Sequence, residues 1–373
     1  MHGIKHSHFV GAWLYHESIT TVETRIMTAP PSFNPIPTLR LLLDGQHLDA
    51  ESITELFEAM MSGDLKESQI AAALSLIAMR DPDANELSSA ATVMRKHVTA
   101  IPTSIDPQSL LDTAGTGGAP KTFNVSTAAA IVAAASGIPV AKHGNRSRTG
   151  RGSAEVLEML GVNIDAGPDI QAHCLQEANV CFAFAIHHHP ATRFVMPVRR
   201  ALAFPTIFNL LGPLTNPANA YRQVIGVWDS RFGQVMAEAL VQLGTKRAIV
   251  AHSHDGLDEV SISAPTTLWH IENGEVHQEI ISPVDVGLKT HPIDDVRATN
   301  LEHAATLVRS VLDGTEQGAP RDMVLMNAAA AILVGGKATD LAAGVATAAS
   351  VIDEGRAIAT LDRLVEVSQA AAS

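Results

Sequence analysis

A glycine-rich loop between a short apolar run and an alanine-rich helix is the feature that most restricts the fold of this 373-residue chain. An apolar pair leads into the loop segment 112–127, and the helix-forming run Ala128–Ala135 follows it. Asn124 and Ser126 are residue types that favour a helix N-cap. Such a loop presents backbone N–H groups beside a helix N-terminus that carries partial positive charge. The sequence therefore predicts a strand–loop–helix unit that binds an anion, most often a phosphate.

The loop differs from two commoner phosphate-binding motifs. The P-loop G-x-x-x-x-G-K-[ST] needs a glycine directly before its lysine, and this chain has Pro120 before Lys121. Proline fixes φ and has no N–H to donate, so a triphosphate cradle is not expected here. The dinucleotide motif G-x-G-x-x-G fails at the same proline. An ordinary tight turn between a strand and a helix stays open as the alternative.

A second, basic loop follows about one helix later. The run Ile138–Ala141 predicts a short strand that leads into segment 142–153, where four Lys/Arg fall within ten residues. The whole chain carries a formal charge of −13, so this positive cluster is local. Interleaved glycine and serine leave it flexible enough to wrap an anion, and a solvated basic loop is the alternative. Two such loops one helix apart favour a shared phosphate ligand.

The remaining pattern predicts an α/β fold with a small all-helical N-terminal domain and a larger α/β domain. Apolar residues show helical spacing over 38–100 and again over 300–369. From Ser109 onward, short apolar strands alternate with helices, which predicts a mostly parallel central sheet covered by helices. The pair Asn273-Gly274 lies between two β-rich runs and indicates a hairpin.

The N-terminal segment 1–37 is predicted to be a disordered extension outside the fold. Its end contains Pro30, Pro31, Pro35 and Pro37, which we interpret as a linker hostile to helix formation. We assign 38–105 to the helical domain and 106–370 to the α/β domain.

Composition and charge exclude several classes of protein. No run of 18 apolar residues occurs, so we expect no membrane span. Cys174 and Cys181 are too few for a disulfide framework and are interpreted as buried thiols of a reducing cytoplasm. The acidic net charge argues against nonspecific binding to nucleic acid. A zinc site is disfavoured at the run His187-His188-His189. Consecutive side chains point in different directions, and no Cys or Glu lies at the spacing of a metal ligand.

The two loops and four further stretches resemble the anthranilate phosphoribosyltransferases of tryptophan biosynthesis. The resemblance runs in order over roughly residues 38 to 368, and its stretches are 115–127, 142–146, 152–161, 198–217, 255–261 and 318–330. It implies transfer of the phosphoribosyl group of 5-phosphoribosyl-1-pyrophosphate (PRPP) to the amine of anthranilate, with Mg²⁺ as cofactor. It also implies a cytoplasmic homodimer and a helical domain completed by helices from about 190–217. The substrates would then meet in the cleft between the domains.

The resemblance implies a PRPP site made by both loops. The residues that would contact PRPP are Gly115, Gly117, Gly118, Ala119, Thr122, Asn124, Val125, Ser126, Thr127, Lys142, His143, Gly144, Asn145, Arg146, Ser147 and Ser153. This chain departs from the family in two features. Ala119 stands where the family usually has aspartate, and each of the two loops is one residue shorter than is usual in the family. These departures bear on loop geometry and affinity.

The resemblance also implies an anthranilate pocket and a metal site. The pocket would be formed by Gly115, Asn145, His189, Arg199 and Gly212. Arg199 would pair with the carboxylate; a surface arginine is the alternative, as for its neighbour Arg200. Mg²⁺ would bind Ser126 and the adjacent acids Asp258 and Glu259, for which an exposed acidic turn is the alternative. No covalent nucleophile is expected, because this transfer depends on positioning and electrostatics.

Two rival functions remain open at this level. A pyrimidine nucleoside phosphorylase shares the fold, but should lack Arg199 and the acidic pair in this context. A noncatalytic relative that binds nucleic acid would have a basic groove and no metal carboxylates, and this chain is acidic and retains both carboxylates. We therefore expect small-molecule substrates, with neither nucleic acid nor a membrane as a partner.

Overall fold

The computed structural model of the protein describes residues 33–119, 122–147 and 150–370. The extension predicted for residues 1–37 lies outside the described residues except for 33–37. Within the described ranges, the helices are α1 (Pro35–Leu43), α2 (Ala50–Ser62), α3 (Glu67–Arg80), α4 (Ala84–Lys96), α5 (Val125–Ala135), α6 (Ser153–Met159), α7 (Pro168–Ala178), α8 (Ala185–His188), α9 (Met196–Leu202), α10 (Ile207–Leu211), α11 (Arg231–Gln242), α12 (Leu301–Leu312), α13 (Ala319–Val334), α14 (Leu341–Asp353) and α15 (Arg356–Ser368). The strands are β1 (Leu111–Gly115), β2 (Val140–Gly144), β3 (Val180–Phe184), β4 (Arg222–Gly226), β5 (Arg247–Ser253), β6 (Thr266–Glu272) and β7 (Glu275–Ile281).

The first helix begins earlier than the sequence predicted. Asn34 caps α1 by accepting a hydrogen bond from the N–H of Ile36, and Pro35 and Pro37 both lie in the first turn. The assignment of residues 35–37 to the extension is therefore wrong. Proline is tolerated in a first helical turn because the N–H groups there have no intrahelical acceptor.

Helices α2 and α4 begin at capping aspartates. Asp49 accepts from the N–H of Ser52, and Asp83 forms a reciprocal capping box with Glu86. Glu86 is fully buried and its charge is compensated by the guanidinium of Arg80. These caps fix the ends of helices whose apolar faces build the N-terminal core.

The strands form one sheet in the order β3-β2-β1-β4-β5-β6-β7. Strands β1 to β5 pair in parallel, and β6 and β7 add an antiparallel edge. The predicted α/β class with a mostly parallel, helix-covered sheet is confirmed. The chain proceeds outward from β1 to β3 on one side and from β4 to β7 on the other. The carboxyl ends of β1 and β4 therefore form a topological switch point, where open α/β sheets bind ligands.

Two hydrophobic cores lie on opposite faces of this sheet. One core joins α5, α7 and α12–α15 to the sheet, and the other joins α1–α4 to α11 and to β4–β6. Strand β5 serves both, because Ile249 and Ala251 belong to the first core and Ala248 and Val250 to the second. The segment 190–217, which contains α9 and α10, packs into the second core against the N-terminal helices.

The predicted hairpin is confirmed between β6 and β7. Asn273 and Gly274 connect the two strands, and both have positive φ angles, 54° and 82°. This is the backbone conformation that a tight two-residue hairpin turn requires.

Among the described residues, no helix combines the length and apolarity needed to cross a membrane.

Candidate active site

The candidate site begins where the chain after β5 passes over the ends of β1 and β4. A Cβ on Gly226 would lie 1.7 Å from the backbone oxygen of Asp258, and a Cβ on Gly115 would lie 2.9 Å from its Oδ2. Because any side chain at Gly226 would collide with backbone, only glycine allows this approach. The acidic pair Asp258 and Glu259 is thereby held at the switch point.

A small cavity of about 20 Å³ lies at this place, and it is large enough for a single water-sized group. Its lining includes Thr113, Ser126, Asp258, Glu259 and Asn327. The structure thus brings together the three residues predicted as metal ligands, although they come from α5 and from the turn after β5. Both acids are half-buried, so they do not form the exposed acidic turn of the alternative interpretation.

Asn327 is a residue of this site that the sequence analysis did not assign. Its amide on α13 donates to the carbonyl of Val260 and accepts from the N–H of the same residue, both at 2.9 Å. This reciprocal pair fixes the backbone directly after Glu259. A buried asparagine in a helix of apolar residues was the only sequence signal for this contact.

The glycine-rich loop contacts the acidic pair directly. Thr122 donates its hydroxyl to Oε2 of Glu259 at 2.9 Å. Asn124 is the N-cap residue of α5, but it has φ +69° and makes no side-chain cap; its amide donates instead to the carbonyl of Arg151. Asn124 thus occupies the N-cap position that its residue type favours, without capping the helix through its side chain. Its actual bond links the first loop to the second.

Backbone groups dominate the rest of this loop. Gly117 and Gly118 have φ angles of +67° and +100°, and Gly118 lies against the ring of Trp228. The side chains of Val125 and Thr127 are buried, and the N–H of Thr127 donates to the carbonyl of Asn124 at 2.9 Å. Ala119, the departure from the family, is also buried. The loop thus leads into the N-terminus of an 11-residue helix, where partial positive charge favours an anion.

Lys142 occupies the interior and not the exposed basic loop in which the sequence analysis placed it. It lies on β2 with 3% of its surface exposed, because the strand extends through Gly144. Its Nζ donates to the carbonyl of Thr113 at 2.7 Å and to Oγ of Ser126 at 3.3 Å. Burial lowers the pKa of Lys142 to about 8, against the opposing attraction of Asp112 and Glu259.

Asp112 is a buried residue that the sequence analysis treated only as the start of the loop. Its Oδ1 accepts from the N–H of His143 at 3.0 Å and so ties β1 to β2. Burial raises the pKa of Asp112 to about 6, although Asn216 and Lys142 favour the charged form. At neutral pH the carboxylate and the lysine ammonium are both charged, and each offsets part of the other's burial cost.

The second loop is shaped by an acid that the sequence analysis overlooked. Glu155, on α6, accepts from the N–H groups of Ser147 at 3.2 Å and Gly152 at 2.9 Å. Arg146 forms an exposed ion pair with Glu158, and Asn145 is exposed beside it. Ser153 begins α6 and contacts the carbonyl of Asn145. Arg146 is thus engaged at the surface in this structure, and the phosphate contacts of this loop stay a prediction.

Three residues of the predicted substrate sites form a hydrogen-bonded chain. Nδ1 of His143 lies 3.2 Å from the carbonyl oxygen of Gly212, and Nε2 of His143 lies 3.1 Å from Nε2 of His189. Both rings are at least 91% buried, since 8% and 9% of their surfaces are exposed. Burial lowers the pKa of His189 to about 4 and that of His143 well below its usual value. Both rings are therefore neutral at pH 7.

The other two histidines of the run point elsewhere. His187 pairs with Asp165 at the surface, and His188 is bonded to the carbonyl of Thr99. Among the described residues, the one three-ligand group of metal-binding type is His47, Asp83 and Glu86, where Arg80 already neutralises the buried glutamate. The prediction against a zinc site at 187–189 agrees with these three separate environments.

Arg199 lies on α9 and turns inward, while Arg200 is exposed. The guanidinium of Arg199 lies 5.2 Å from the ring centre of Phe208 and contacts Oδ1 of Asn209 at 3.4 Å. The amide of Asn209 in turn reaches the carbonyl of Thr116 in the glycine-rich loop, at 3.5 Å. Asn209, which the sequence analysis left unassigned, thus connects the predicted carboxylate-binding arginine with the glycine-rich loop.

Comparisons with known proteins agree with this architecture. Residues 36–98 match a family model described as "Glycosyl transferase family, helical bundle domain", and residues 107–358 match "Glycosyl transferase family, a/b domain". Both parts of a glycosyl transferase of this class are therefore present.

Individual relatives are more specific. The anthranilate phosphoribosyltransferase of Rubrobacter xylanophilus is 43% identical over 89% of this chain and 96% of its own length. That of Rhodopseudomonas palustris is 44% identical over 88% and 96%. The crystal structure of the Thermus thermophilus enzyme has a TM-score of 0.84 at 37% identity and covers 89% of this chain and 99% of that one. The yeast enzyme in complex with PRPP and Mg has a TM-score of 0.80 at 25% identity, over 89% and 97%. The chain belongs to the anthranilate phosphoribosyltransferase family.

The neutral histidines of the site predict a pH dependence of stability. A histidine whose pKa is lowered on folding binds more protons when the chain unfolds, so the free energy of unfolding falls as pH drops below about 6.5. For His189, which titrates at about 4 in the folded protein, the loss between pH 7.5 and 5.0 is about 2 kcal/mol. In urea unfolding over the same pH range, the free energy of unfolding should fall less in His189→Gln than in wild type. The difference should be about this amount. Equal slopes would contradict burial of a neutral His189.

Proposed function

We propose that this protein transfers the phosphoribosyl group of PRPP to the amine of anthranilate, giving N-(5-phosphoribosyl)anthranilate and pyrophosphate. The observation that carries the proposal is the convergence of Ser126, Asp258 and Glu259 at the switch point, between two loops built for anions. The family membership supplies the acceptor. In the reaction, the bond from C1 to the pyrophosphate oxygen breaks, a bond from C1 to the amine nitrogen forms, and the amine loses one proton.

The metal fits this donor set. Two carboxylates and a hydroxyl are hard oxygen ligands of the kind that Mg²⁺ prefers, and Mg²⁺ commonly retains waters beside them. The yeast relative binds Mg together with PRPP. Bound Mg²⁺ would neutralise charge on the departing pyrophosphate. The ammonium of Lys142, 3.3 Å from Oγ of Ser126, contributes a second positive charge on the interior side at neutral pH.

The backbone of the glycine-rich loop positions the phosphates. N–H groups at the start of α5 and in the Gly117-Gly118 turn would donate to the phosphates, because the first turn of a helix leaves N–H groups without intrahelical acceptors. These donors carry no charge of their own and need no reorganisation during the reaction, so they stabilise developing negative charge effectively. Ser147 and Ser153 would contact the phosphates from the second loop, where the N–H of Ser147 donates to Glu155 and the hydroxyl of Ser153 donates to the carbonyl of Asn145.

The acceptor would lie between the glycine-rich loop and the segment that contains α9 and α10. Arg199 would bind the carboxylate of anthranilate, and Asn209 and the ring of Phe208 hold the guanidinium in place. Gly212 and His189 line the same region through their bonds to His143. Gly115 and Asn145 would complete the pocket from the two loops.

The assembly, location and domain division are also proposals. Exposed apolar side chains on α1, α3 and the turn after α9 (Ile36, Leu43, Met79 and Phe204) support a homodimer through the helical part. The thiols of Cys174 and Cys181 are free and buried, which suits the cytoplasm. We propose a helical domain that begins with α1 (Pro35–Leu43), extends to residue 105 and is completed by 190–217, and an α/β domain of 106–370.

The function is tested by following the fluorescence of anthranilate with PRPP and Mg²⁺ and measuring pyrophosphate in the same samples. The proposal expects anthranilate to disappear and pyrophosphate to appear in equal amounts, with dependence on all three components. Release of a free base from a pyrimidine nucleoside and inorganic phosphate, without anthranilate turnover, would instead support the phosphorylase alternative.

Arg199→Ala should weaken the use of anthranilate far more than the use of PRPP. The variant loses charge-assisted hydrogen bonds worth roughly 1.5–3 kcal/mol, which corresponds to about a ten- to hundredfold fall in kcat/KM for anthranilate. Steady-state kinetics with each substrate varied in turn measures both values. The matched control is Arg200→Ala on the exposed side of the same helix, which should behave as wild type. Equal damage to the two substrates would contradict the pocket assignment.

The double variant Asp258→Asn/Glu259→Gln should need much more Mg²⁺ for activity. It keeps side-chain size and removes the fixed negative ligands, so the Mg²⁺ concentration at half-maximal rate should rise by about tenfold or more. Asp294→Asn/Asp295→Asn alters another adjacent acidic pair, which is exposed and distant in sequence, and should leave the Mg²⁺ dependence unchanged. If the first variant changes the pH profile at unchanged Mg²⁺ dependence, the pair acts through protons and not through the metal.

A further inference from the structure

The contacts of His143 fix which ring nitrogen of each histidine carries a proton. The carbonyl oxygen of Gly212 can only accept a hydrogen bond, so Nδ1 of His143, 3.2 Å away, must be the donor. In a neutral ring the other nitrogen, Nε2, then has a lone pair and no proton. The neighbouring Nε2 of His189, 3.1 Å away, must therefore donate to it.

The same reasoning determines the state of the remaining nitrogen. A neutral His189 that is protonated on Nε2 has an unprotonated Nδ1 with an available lone pair. Within the described part of the chain, Nε2 is the only ring nitrogen of His189 that makes a hydrogen bond, and the residue retains 9% of its exposure. The chain from Gly212 through His143 thus ends at a basic nitrogen without a hydrogen-bond partner among the described residues.

We infer that Nδ1 of His189 accepts the proton that the anthranilate amine loses, and that His143 shares the resulting charge. The inference rests on the proposed function. As the amine lone pair forms the bond to C1, the electron pair of the C1–O bond leaves with pyrophosphate. The amine N–H proton passes to Nδ1 of His189, and the Nε2 proton of that ring can move to Nε2 of His143.

The surroundings make this proton storage temporary. Burial opposes a cation on His143 most strongly, and charge on His189, His188 and Lys142 opposes it as well, while the carbonyl of Gly212 favours it. Burial and His188 likewise oppose a cation on His189. An arylammonium attached to a ribosyl carbon is acidic enough to protonate such a pair. The pair returns to its neutral state when the product leaves and water enters.

The role is tested with His189→Gln, whose amide N–H can still donate to His143 but whose oxygen is a poor base. We expect kcat to fall about a hundredfold, with the KM values for anthranilate and PRPP within about threefold of wild type. The matched control is His187→Gln, two residues earlier at the surface, which should retain the wild-type kcat. A higher KM for anthranilate at unchanged kcat would reduce His189 to a contact residue and overturn the inference.

A second variant separates chemistry from folding. His189→Ala leaves space for free imidazole, and its rate should rise about tenfold as imidazole is added, while His187→Gln shows no response. A rate that stays flat with imidazole would contradict the role of a base. If wild type fails to consume anthranilate, the proposed function itself fails. If wild type is active and His189→Gln retains its kcat, only the present inference fails.

Discussion

The close approach between Asp258 and the end of β4 is the constraint on which the site depends. The peptide after β5 passes so near Gly226 that a single Cβ would overlap its backbone oxygen, and Gly115 leaves room for the aspartate side chain. Since β1 and β4 are the central neighbours in the sheet, this contact places two acids where the strand order reverses. The helix after the glycine-rich loop then brings Ser126 to the same place. The proposed metal ligands come from distant parts of the chain and meet because two residues have no side chain.

A buried polar layer supports this arrangement from beneath. Lys142, Asp112 and His143 lie on β1 and β2, where parallel strands are usually apolar throughout. Each makes a defined bond across the strands or to the segment that contains α10. Buried charges and imidazoles are costly unless they are paired, so their presence here indicates that the site requires fixed charge and fixed proton positions. The glycine-rich loop and the second loop can contact a ligand mainly through backbone groups, because this buried layer holds them in place.

The sequence predicts the structural features that depend on local periodicity. It does not predict contacts between residues that are distant in the chain. Alternating strands and helices, the parallel sheet and the Asn273-Gly274 turn all follow from short-range pattern. The position of Lys142 does not, because a lysine beside glycine and arginine has the composition of an exposed loop. Glu155 and Asn209 act through contacts that neighbouring residues do not reveal. The prolines at 35 and 37 misled for a different reason, since proline breaks a helix interior but suits its first turn.

The most direct test of the central claim is a calorimetric titration of Mg²⁺ and PRPP into the wild type and into Gly226→Ala. If the site is built on the close approach at Gly226, the wild type binds PRPP more tightly with Mg²⁺ than without it. In Gly226→Ala, displacement of the Asp258 backbone should abolish most of that Mg²⁺-dependent gain while thermal unfolding stays cooperative. A folded variant that retains the full Mg²⁺-dependent affinity would contradict the claim that this approach creates the metal and PRPP site.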